Sequence, residues 1–446
     1  MLKHSDAQTP YKISNNTRVR LGDKSALVWH RLWGTPQIVP RHIGREIRAG
    51  RVKRLDPELL SAFERLHLVE TGESASEKRF YAAVDSGLHT LRGLANLKSV
   101  MVVLTSGCNL GCPHCMFRSA APSRPVRANY RATRSQLLHL IGENKWTEDR
   151  PLSVAFTGGE PLLEWELLKK LVVFLRTIQT PISLRILTNG TLITPEKATF
   201  LKAHHVAAHL SVDGVGNVFS RARPTKDGGG GSFAAFRKGA LALRQAGVVI
   251  ASVQCTLSVR NLNDDHKSTM QFVRDQLGLD QMSFELDLTA GNELGSPVHV
   301  ARKLCKLIGI GKDLGVEVSG FWSRPYMAMF EKVRKKSRWS FCGAPLGSGL
   351  TITAWESWKV CPYLDSELGP ATMAFGEIAA AWEQWAERQR RNQKERCRGC
   401  ELEAFCMGGC QVSERHAGVS KYRCDVYKAV FYRLVDRTVK EEESCR

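Results

Sequence analysis

The sequence contains no run of about eighteen apolar residues, which excludes a membrane-spanning helix. Its first twenty residues lack the apolar segment of a secretory signal, so a cytoplasmic chain is expected. There is no Lys tract, no RGG run and no basic strand interleaved with aromatics, so the local signatures of nucleic-acid binding are missing. Acidic residues are scarce: 44 Asp and Glu stand against 64 Lys and Arg, a formal charge of +20. The excess is spread along the chain, since residues 1–97 already hold 16 basic and 10 acidic side chains. Such a surface suits a nucleic acid, an acidic peptide drawn in by long-range steering, or solvent alone.

What the sequence does have is cysteine. In a small secreted chain, thirteen cysteines would mean disulfides; in 446 residues without an export signal they read as metal ligands. Three lie in Thr105-Ser-Gly-Cys-Asn-Leu-Gly-Cys-Pro-His-Cys-Met-Phe117, where Cys108, Cys112 and Cys115 have the spacing C-x3-C-x2-C. Thiolates suit a soft metal. A closed structural zinc or iron–sulfur site takes four protein ligands, so three leave a position open. The alternative is a zinc loop completed by His114 or a distant residue.

The length allows two or three domains. Residues 1–14 are polar and expected to be a disordered tail. Residues 15–96 read as a small α+β unit. Strand-like Ser25–His30 and Arg79–Val84 flank helical Pro40–Arg48 and Pro57–Leu66, which fits a winged helix-turn-helix. It could bind DNA, or a peptide as an added strand. From residue 97 to about 330, strands and helices alternate. Strands are expected at 99–104, 152–156, 183–187, 206–212, 248–257 and 282–288, with helices at 134–143, 163–178, 195–203, 233–245 and 269–276. Six such repeats predict a partial (β/α)6 barrel, an α/β fold of the TIM type with a parallel sheet. Function in such barrels sits on loops after the strands' C-terminal ends. The cysteine loop, Gly158-Gly159-Glu160, Thr188-Asn189-Gly190 and Asp213-Gly214 all fall there. Asp227–Ser232 is a glycine-rich flexible loop.

With Gly-Gly-Glu on the next strand, the cysteine loop resembles that of the radical S-adenosylmethionine (radical SAM) superfamily over roughly residues 98–310. The resemblance implies that Cys108, Cys112 and Cys115 hold three irons of a [4Fe–4S] cluster, whose fourth iron chelates SAM through its amino and carboxylate groups. An electron from the cluster then splits SAM to methionine and a 5′-deoxyadenosyl radical, which takes hydrogen from an unactivated carbon. Residue by residue, His114 stands where the family has an aromatic against the adenine. Gly158, Gly159 and Glu160 match the segment that meets SAM's amino group through backbone and carboxylate. Thr188 and Asn189 end the third strand beside the SAM pocket, or form a plain turn. Ser211 and Asp213 match residues near the SAM carboxylate and ribose. Arg223 matches an Arg on the carboxylate, with Arg221 as the alternative.

Residues 331–446 carry Cys342, Cys361, Cys397, Cys400, Cys406, Cys410 and Cys424, four of them as C-x2-C-x5-C-x3-C, with tryptophans at 339, 355, 358, 382 and 385. Beyond a helix near 375–394 few regular elements are expected, and ligation would replace a core. Two zinc sites are one reading. The run also resembles the SPASM domain, which implies two auxiliary [4Fe–4S] clusters. One would take Cys397, Cys400, Cys406 and Cys424, the other Cys342, Cys361 and Cys410. The fourth ligand of the second is open, with Cys255 and Cys305 read as packing residues and Cys445 as a candidate that folds back. The sequence departs from that pattern at Glu356, where the family has glycine.

The segment Ala26–Gln37 is similar to the opening of peptide-modifying SPASM enzymes, and the unit around it resembles the leader-binding element of ribosomal peptide maturases. The expected activity is therefore hydrogen abstraction from a residue of a ribosomally made precursor peptide, closing a thioether or carbon–carbon crosslink. The partners implied are a leader-bearing peptide and a flavodoxin or ferredoxin-type electron donor, with no membrane and no nucleic acid. The rival readings are a sulfatase-maturase-like oxidation to formylglycine, a small-molecule or quinone-cofactor role, and an iron–sulfur nucleic-acid-binding regulator.

Overall fold

A computed structural model describes residues 11–71, 75–89, 93–228, 230–330, 340–416 and 418–444. Outside them lie residues 1–10 of the expected tail, Gly229 of the glycine loop, the expected boundary at 330/331, Trp339 and Cys445.

The chain begins with β1 (Lys12–Ile13), β2 (Thr17–Leu21), β3 (Ser25–His30) and β4 (Gly34–Pro40). The strands β2-β3-β4 form an antiparallel sheet, and β1 pairs with β5 (Val69–Glu70). Residues 11–14 are thus not part of a disordered tail: Lys12 pairs with Glu70, and Ser14 is buried. Helices Arg41–Arg48 and Pro57–Arg65 follow the sheet, the second capped by Asp56 with Pro57 at its first turn. Arg79–Val84 is not a strand but the middle of helix Ala75–His89. Its composition is strand-like, yet Ser76 and Phe80 are buried four residues apart, and Phe80 packs with Leu32 and Ala404.

The barrel strands are β6 (Ser99–Thr105), β7 (Leu152–Gly158), β8 (Ile182–Thr188), β9 (Val206–Ser211), β10 (Ile250–Leu257) and β11 (Gln281–Leu286), with a short β12 (Glu317–Ser319) at the edge. All are parallel, in sequence order. The apolar runs close the strands' faces, and capped helices return the chain between them. Thr194 with Pro195 starts Pro195–Ala203, and Ser296 with Pro297 starts Pro297–Leu314, which Gly315 stops in the left-handed region. Helix Asn217–Ala222, before the glycine loop, was not expected from the sequence.

The last third is more regular than its composition suggests. β13 (Gly349–Ile352) pairs in parallel with β6, and β14 (Ser357–Lys359) and β15 (Glu367–Pro370) continue it, making one ten-stranded sheet. Two long helices follow, Phe375–Cys397 and Val419–Ser444. Trp358, Trp382, Val430 and Phe431 belong to the same hydrophobic core as the barrel. Ligation therefore does not replace a core here. Among the described residues no helix is long and apolar enough to cross a membrane.

Candidate active site and cluster sites

The cysteine loop leaves β6 and is fastened on three sides. Gly159 N donates to Thr105 O and Glu160 N to Gly107 O, both at 2.9 Å, so the end of β7 lies against the start of the loop. Both glycines are required for this approach. Gly158 has φ +143°, and a Cβ there would stand 2.3 Å from Thr105 O; one on Gly159 would stand 2.1 Å from Gly107 O. On the far side Gly111 N donates to Pro224 O at 2.7 Å, and Leu110 bridges to Thr225. Asn189 Nδ2 donates to Asn109 Oδ1 at 2.9 Å and approaches Cys108 Sγ at 3.9 Å.

Glu160 has no exposed surface. Its Oε1 accepts from Thr188 Oγ1 at 2.8 Å and from Leu162 N at 3.1 Å, and its Oε2 from Asn189 N at 2.8 Å. Burial raises its pKa, and these three donors oppose the rise. The carboxylate thus ties the ends of β7 and β8 together. It is not open to a ligand, and the part of Gly158–Glu160 left to meet one is backbone.

Asp213 is a second fully buried hub. Its Oδ1 accepts from Thr256 N at 2.7 Å. Its Oδ2 lies 2.7 Å from Arg223 Nε and 3.0 Å from His114 Nε2. The structure thus gathers His114, Asp213 and Arg223, which the sequence scatters over more than a hundred residues. His114 turns its ring edge to Asp213 and is 6% exposed, so it presents no open ring face. Arg221 points elsewhere, to Asp264 at 2.6 Å and Arg260 O, which removes it as the alternative to Arg223. Ser211 ends β9, half-buried. The charges in this group touch without alignment: His114 Nδ1 and Nε2, Asp213 Oδ2 and Arg223 Nε are all buried without a well-directed hydrogen-bond partner. Three of these atoms face one another as charges, so Arg223, whose side chain keeps 12% of its surface exposed, is the member able to meet a polar ligand.

Residues 102–273 match the Radical SAM superfamily. This barrel is a radical SAM enzyme domain. The radical SAM cyclopropyl synthase TigE of Paramaledivibacter caminithermalis is 22% identical over 379 residues, 81% of this chain and 77% of that one. A cysteine-type anaerobic sulfatase-maturating enzyme of Clostridium perfringens is 35% identical over 117 residues, 25% of this chain and 31% of that one. Among solved structures, anSMEcpe with bound AdoMet and the Cp18Cys peptide aligns with a TM-score of 0.61 at 20% identity, covering 77% of this chain and 99% of that one. Streptococcus suis SuiB bound to the precursor peptide SuiA aligns with a TM-score of 0.54 at 13% identity, covering 92% and 98%. These two likenesses are of fold.

The donor set of the radical SAM loop fits an iron–sulfur cluster. Burial pushes the Cys112 thiol up to about 11 and raises Cys108 as well. Thiolates in such a place need a metal's positive charge. The later cysteines form two groups. Cys361 is pushed up to about 12 by burial and then by its neighbours Cys410 and Cys342. Burial likewise raises Cys406, with Cys424, Cys397 and Cys400 adding to it. These are the two sets the sequence reading paired. Among the described residues no three His, Cys, Asp or Glu side chains meet at a point fit for one ion. A [4Fe–4S] cluster is attached at separate irons, so its thiolates surround a volume instead. Cys255 is fully buried on β10, and Cys305 lies on helix Pro297–Leu314.

Glu356 stands in the turn between two strands. It takes φ +57° between β13 and β14, the conformation that favours glycine. Sequence reasoning missed the contacts that join the first cysteine loop to the Cys361 loop. Tyr363 sets its ring edge-on to Phe117 at 6.5 Å between centroids. Lys359, 2% exposed, donates to Ala120 O at 3.3 Å and Leu364 O at 3.0 Å. The spacing Cys115-x-Phe117 and Cys361-x-Tyr363 was the available signal. Asn261 was also missed; it donates to Asp213 O at 3.0 Å and Thr256 O at 2.9 Å, and nothing in the sequence marks it.

The lumen of the barrel is polar. On β9, Val206, Ala208 and Leu210 are buried toward the helices while Ala207, His209 and Ser211 face the other way. Arg185 and Ser153 bond each other on that face, as do His209 Nδ1 and Ser252 Oγ at 2.6 Å. Burial, then Arg185, push His209 down to about 4, so its ring is neutral at pH 7.

Proposed function

We propose that the chain is a radical SAM/SPASM maturase that takes a hydrogen atom from one residue of a ribosomally made precursor peptide and closes a thioether or carbon–carbon crosslink. The observation that carries this reading is the junction of two cysteine loops through Phe117, Tyr363 and Lys359. An electron acceptor beside the site of a substrate radical suits an oxidative bond closure. Such a closure removes one hydrogen atom, one proton and one electron from the peptide for each bond formed; clusters held by the later cysteines would supply the one-electron acceptor, and an external carrier would take the electron on.

When bound, SAM and its cluster supply the radical; the chain supplies placement. Cys108, Cys112 and Cys115 would hold the first cluster. Gly158, Gly159 and the Glu160 backbone, with Thr188, Asn189 and Ser211 at neighbouring strand ends, would line the SAM pocket. The free edge of the Arg223 guanidinium would meet the SAM carboxylate, oriented by Asp213 and His114. Cys342, Cys361 and Cys410, and Cys397, Cys400, Cys406 and Cys424, would hold the auxiliary clusters. The peptide would enter the polar lumen lined by Ser153, Arg185, His209 and Ser252. The N-terminal unit, whose three-stranded sheet precedes its helices, would hold the leader. A soluble flavodoxin or ferredoxin-type donor would supply the electron. That SuiB, a protein of like fold, was solved with the precursor peptide SuiA supports a peptide substrate.

The test is a search of the neighbouring genes for a short peptide, followed by anaerobic incubation of the reduced, reconstituted enzyme with SAM and that peptide. The reading expects about twelve irons per chain and 5′-deoxyadenosine formed in step with modified peptide. Zinc in place of iron, or no 5′-deoxyadenosine, overturns it.

A further inference from the structure

The N-terminal unit and the C-x2-C turn of the later cysteines meet at a buried ion pair. Arg31 follows β3 and is 5% exposed. Its Nη1 donates to Glu403 Oε2 at 2.9 Å and to the carbonyl of Cys400 at 3.1 Å. Its other edge is held by Asn16 Oδ1, which accepts from Nε at 3.0 Å and from Nη2 at 2.8 Å. Glu403 Oε2 also accepts from Gly399 N at 2.9 Å, inside the same turn, and Oε1 accepts from Tyr81 Oη at 2.7 Å. Tyr81 lies on helix Ala75–His89. The bonds of this pair thus run to the N-terminal unit on one side and to the backbone of the Cys397–Cys400 turn on the other.

A buried pair of this kind contributes little net stability, because desolvation offsets the attraction. It does place two opposite full charges against the backbone of the turn that carries Cys397 and Cys400, in a region that screens them poorly. The potential of an iron–sulfur cluster follows the net charge and hydrogen bonding around its sulfurs.

We propose that the Arg31–Glu403 pair is a positioning device by which the N-terminal unit fixes the Cys397–Cys400 turn and balances the charge that sets the reduction potential of the cluster there. The proposal rests on the reading that Cys397, Cys400, Cys406 and Cys424 hold a [4Fe–4S] cluster. A displacement of β3 or helix Ala75–His89, where a leader peptide would bind, is then felt at that cluster through one ion pair.

The test uses full-length, reconstituted protein in a Cys108→Ala/Cys112→Ala/Cys115→Ala background, so that only the auxiliary clusters report. Reduction is followed by electron paramagnetic resonance during a potentiometric titration at pH 8.5. Arg31→Met leaves the Glu403 carboxylate unbalanced and lowers the potential of one cluster. Glu403→Gln leaves the Arg31 cation unbalanced and raises it. Arg31→Lys, which keeps the charge, and the double variant Arg31→Met/Glu403→Gln, which removes both, return it toward the parent value. Shifts of the same sign in both single variants, or no shift, overturn the proposal, since a merely structural loss has no reason to change sign with the charge removed. Failure of the cluster reading shows separately: iron in the parent protein then does not fall when Cys406→Ala is introduced.

Discussion

Arg223 Nε lies 2.7 Å from Asp213 Oδ2, and the segment that carries Arg223 is the one to which Gly111 of the cysteine loop is bonded. Charge and loop are thus set by the same few residues. Burial alone would push Asp213 up; Arg223 and His114 more than offset it and hold it near 2, against an ordinary 3.8. A folded pKa below the unfolded one contributes stability above about pH 4 that is lost as pH falls toward 2. Arg223→Met strands the carboxylate and is expected to cost roughly 3–5 kcal/mol at neutral pH; because it removes the partner that lowers the Asp213 pKa, the deficit against the parent protein in a melting-temperature profile should narrow as pH falls. Asp213→Asn should remove this residue's part of the acid dependence.

Glu160 predicts a graded series. Glu160→Ala leaves Thr188 Oγ1, Asn189 N and Leu162 N without an acceptor, at about 1–3 kcal/mol for each buried donor. Glu160→Gln keeps one acceptor oxygen and should lose less. Because the carboxylate is enclosed, both should weaken SAM binding through displacement of the β7 and β8 ends. Calorimetry of SAM binding should then rank with thermal stability across the two variants. A loss of SAM affinity with stability unchanged would place the carboxylate on the ligand instead.

Glu356 holds a left-handed backbone with φ +57° at a turn between two strands. Glu356→Gly is expected to stabilise the protein by about 1 kcal/mol, since the strain of a side chain there exceeds the entropy glycine gains on unfolding. Chemical denaturation measures it directly.

Glu285 runs opposite to Asp213. Burial pushes it up to about 7, with Phe321 N, Arg324 and Arg423 opposing the rise. A raised carboxyl pKa means the native state keeps a proton that the unfolded chain has lost, so this group's contribution falls as pH rises from about 4.5 to 7. Glu285→Gln should flatten the stability profile over that window, by an amount on the order of a few kcal/mol.

The barrel was legible because each signal was local. Apolar runs such as Ser99–Leu104 and capped helices such as Thr194–Ala203 announce themselves within a dozen residues, and the glycines at 158 and 159 mark a close approach that only glycine permits. The His114–Asp213–Arg223 group was legible as three residues but not as one cluster, since their meeting depends on how β6 and β9 sit across the sheet. Arg79–Val84 misled because six residues hold too little of a helical period. Helix Val419–Ser444 was missed for a different reason. Its buried Tyr422, Val426, Val430 and Phe431 have helical spacing, but Cys424 drew the segment into a metal-held loop. The β6–β13 pairing joins residues some 250 apart, and no local pattern encodes it.

The most direct test is the mass of a short peptide found encoded in the neighbouring genes, after coexpression with this protein under anaerobic conditions. The account predicts loss of two hydrogen atoms for each bond formed, with the mass unchanged when Cys112→Ala replaces the parent enzyme. A peptide that loses sulfur, as conversion of cysteine to formylglycine requires, or one that returns unmodified alongside iron-replete, SAM-cleaving enzyme, would contradict it.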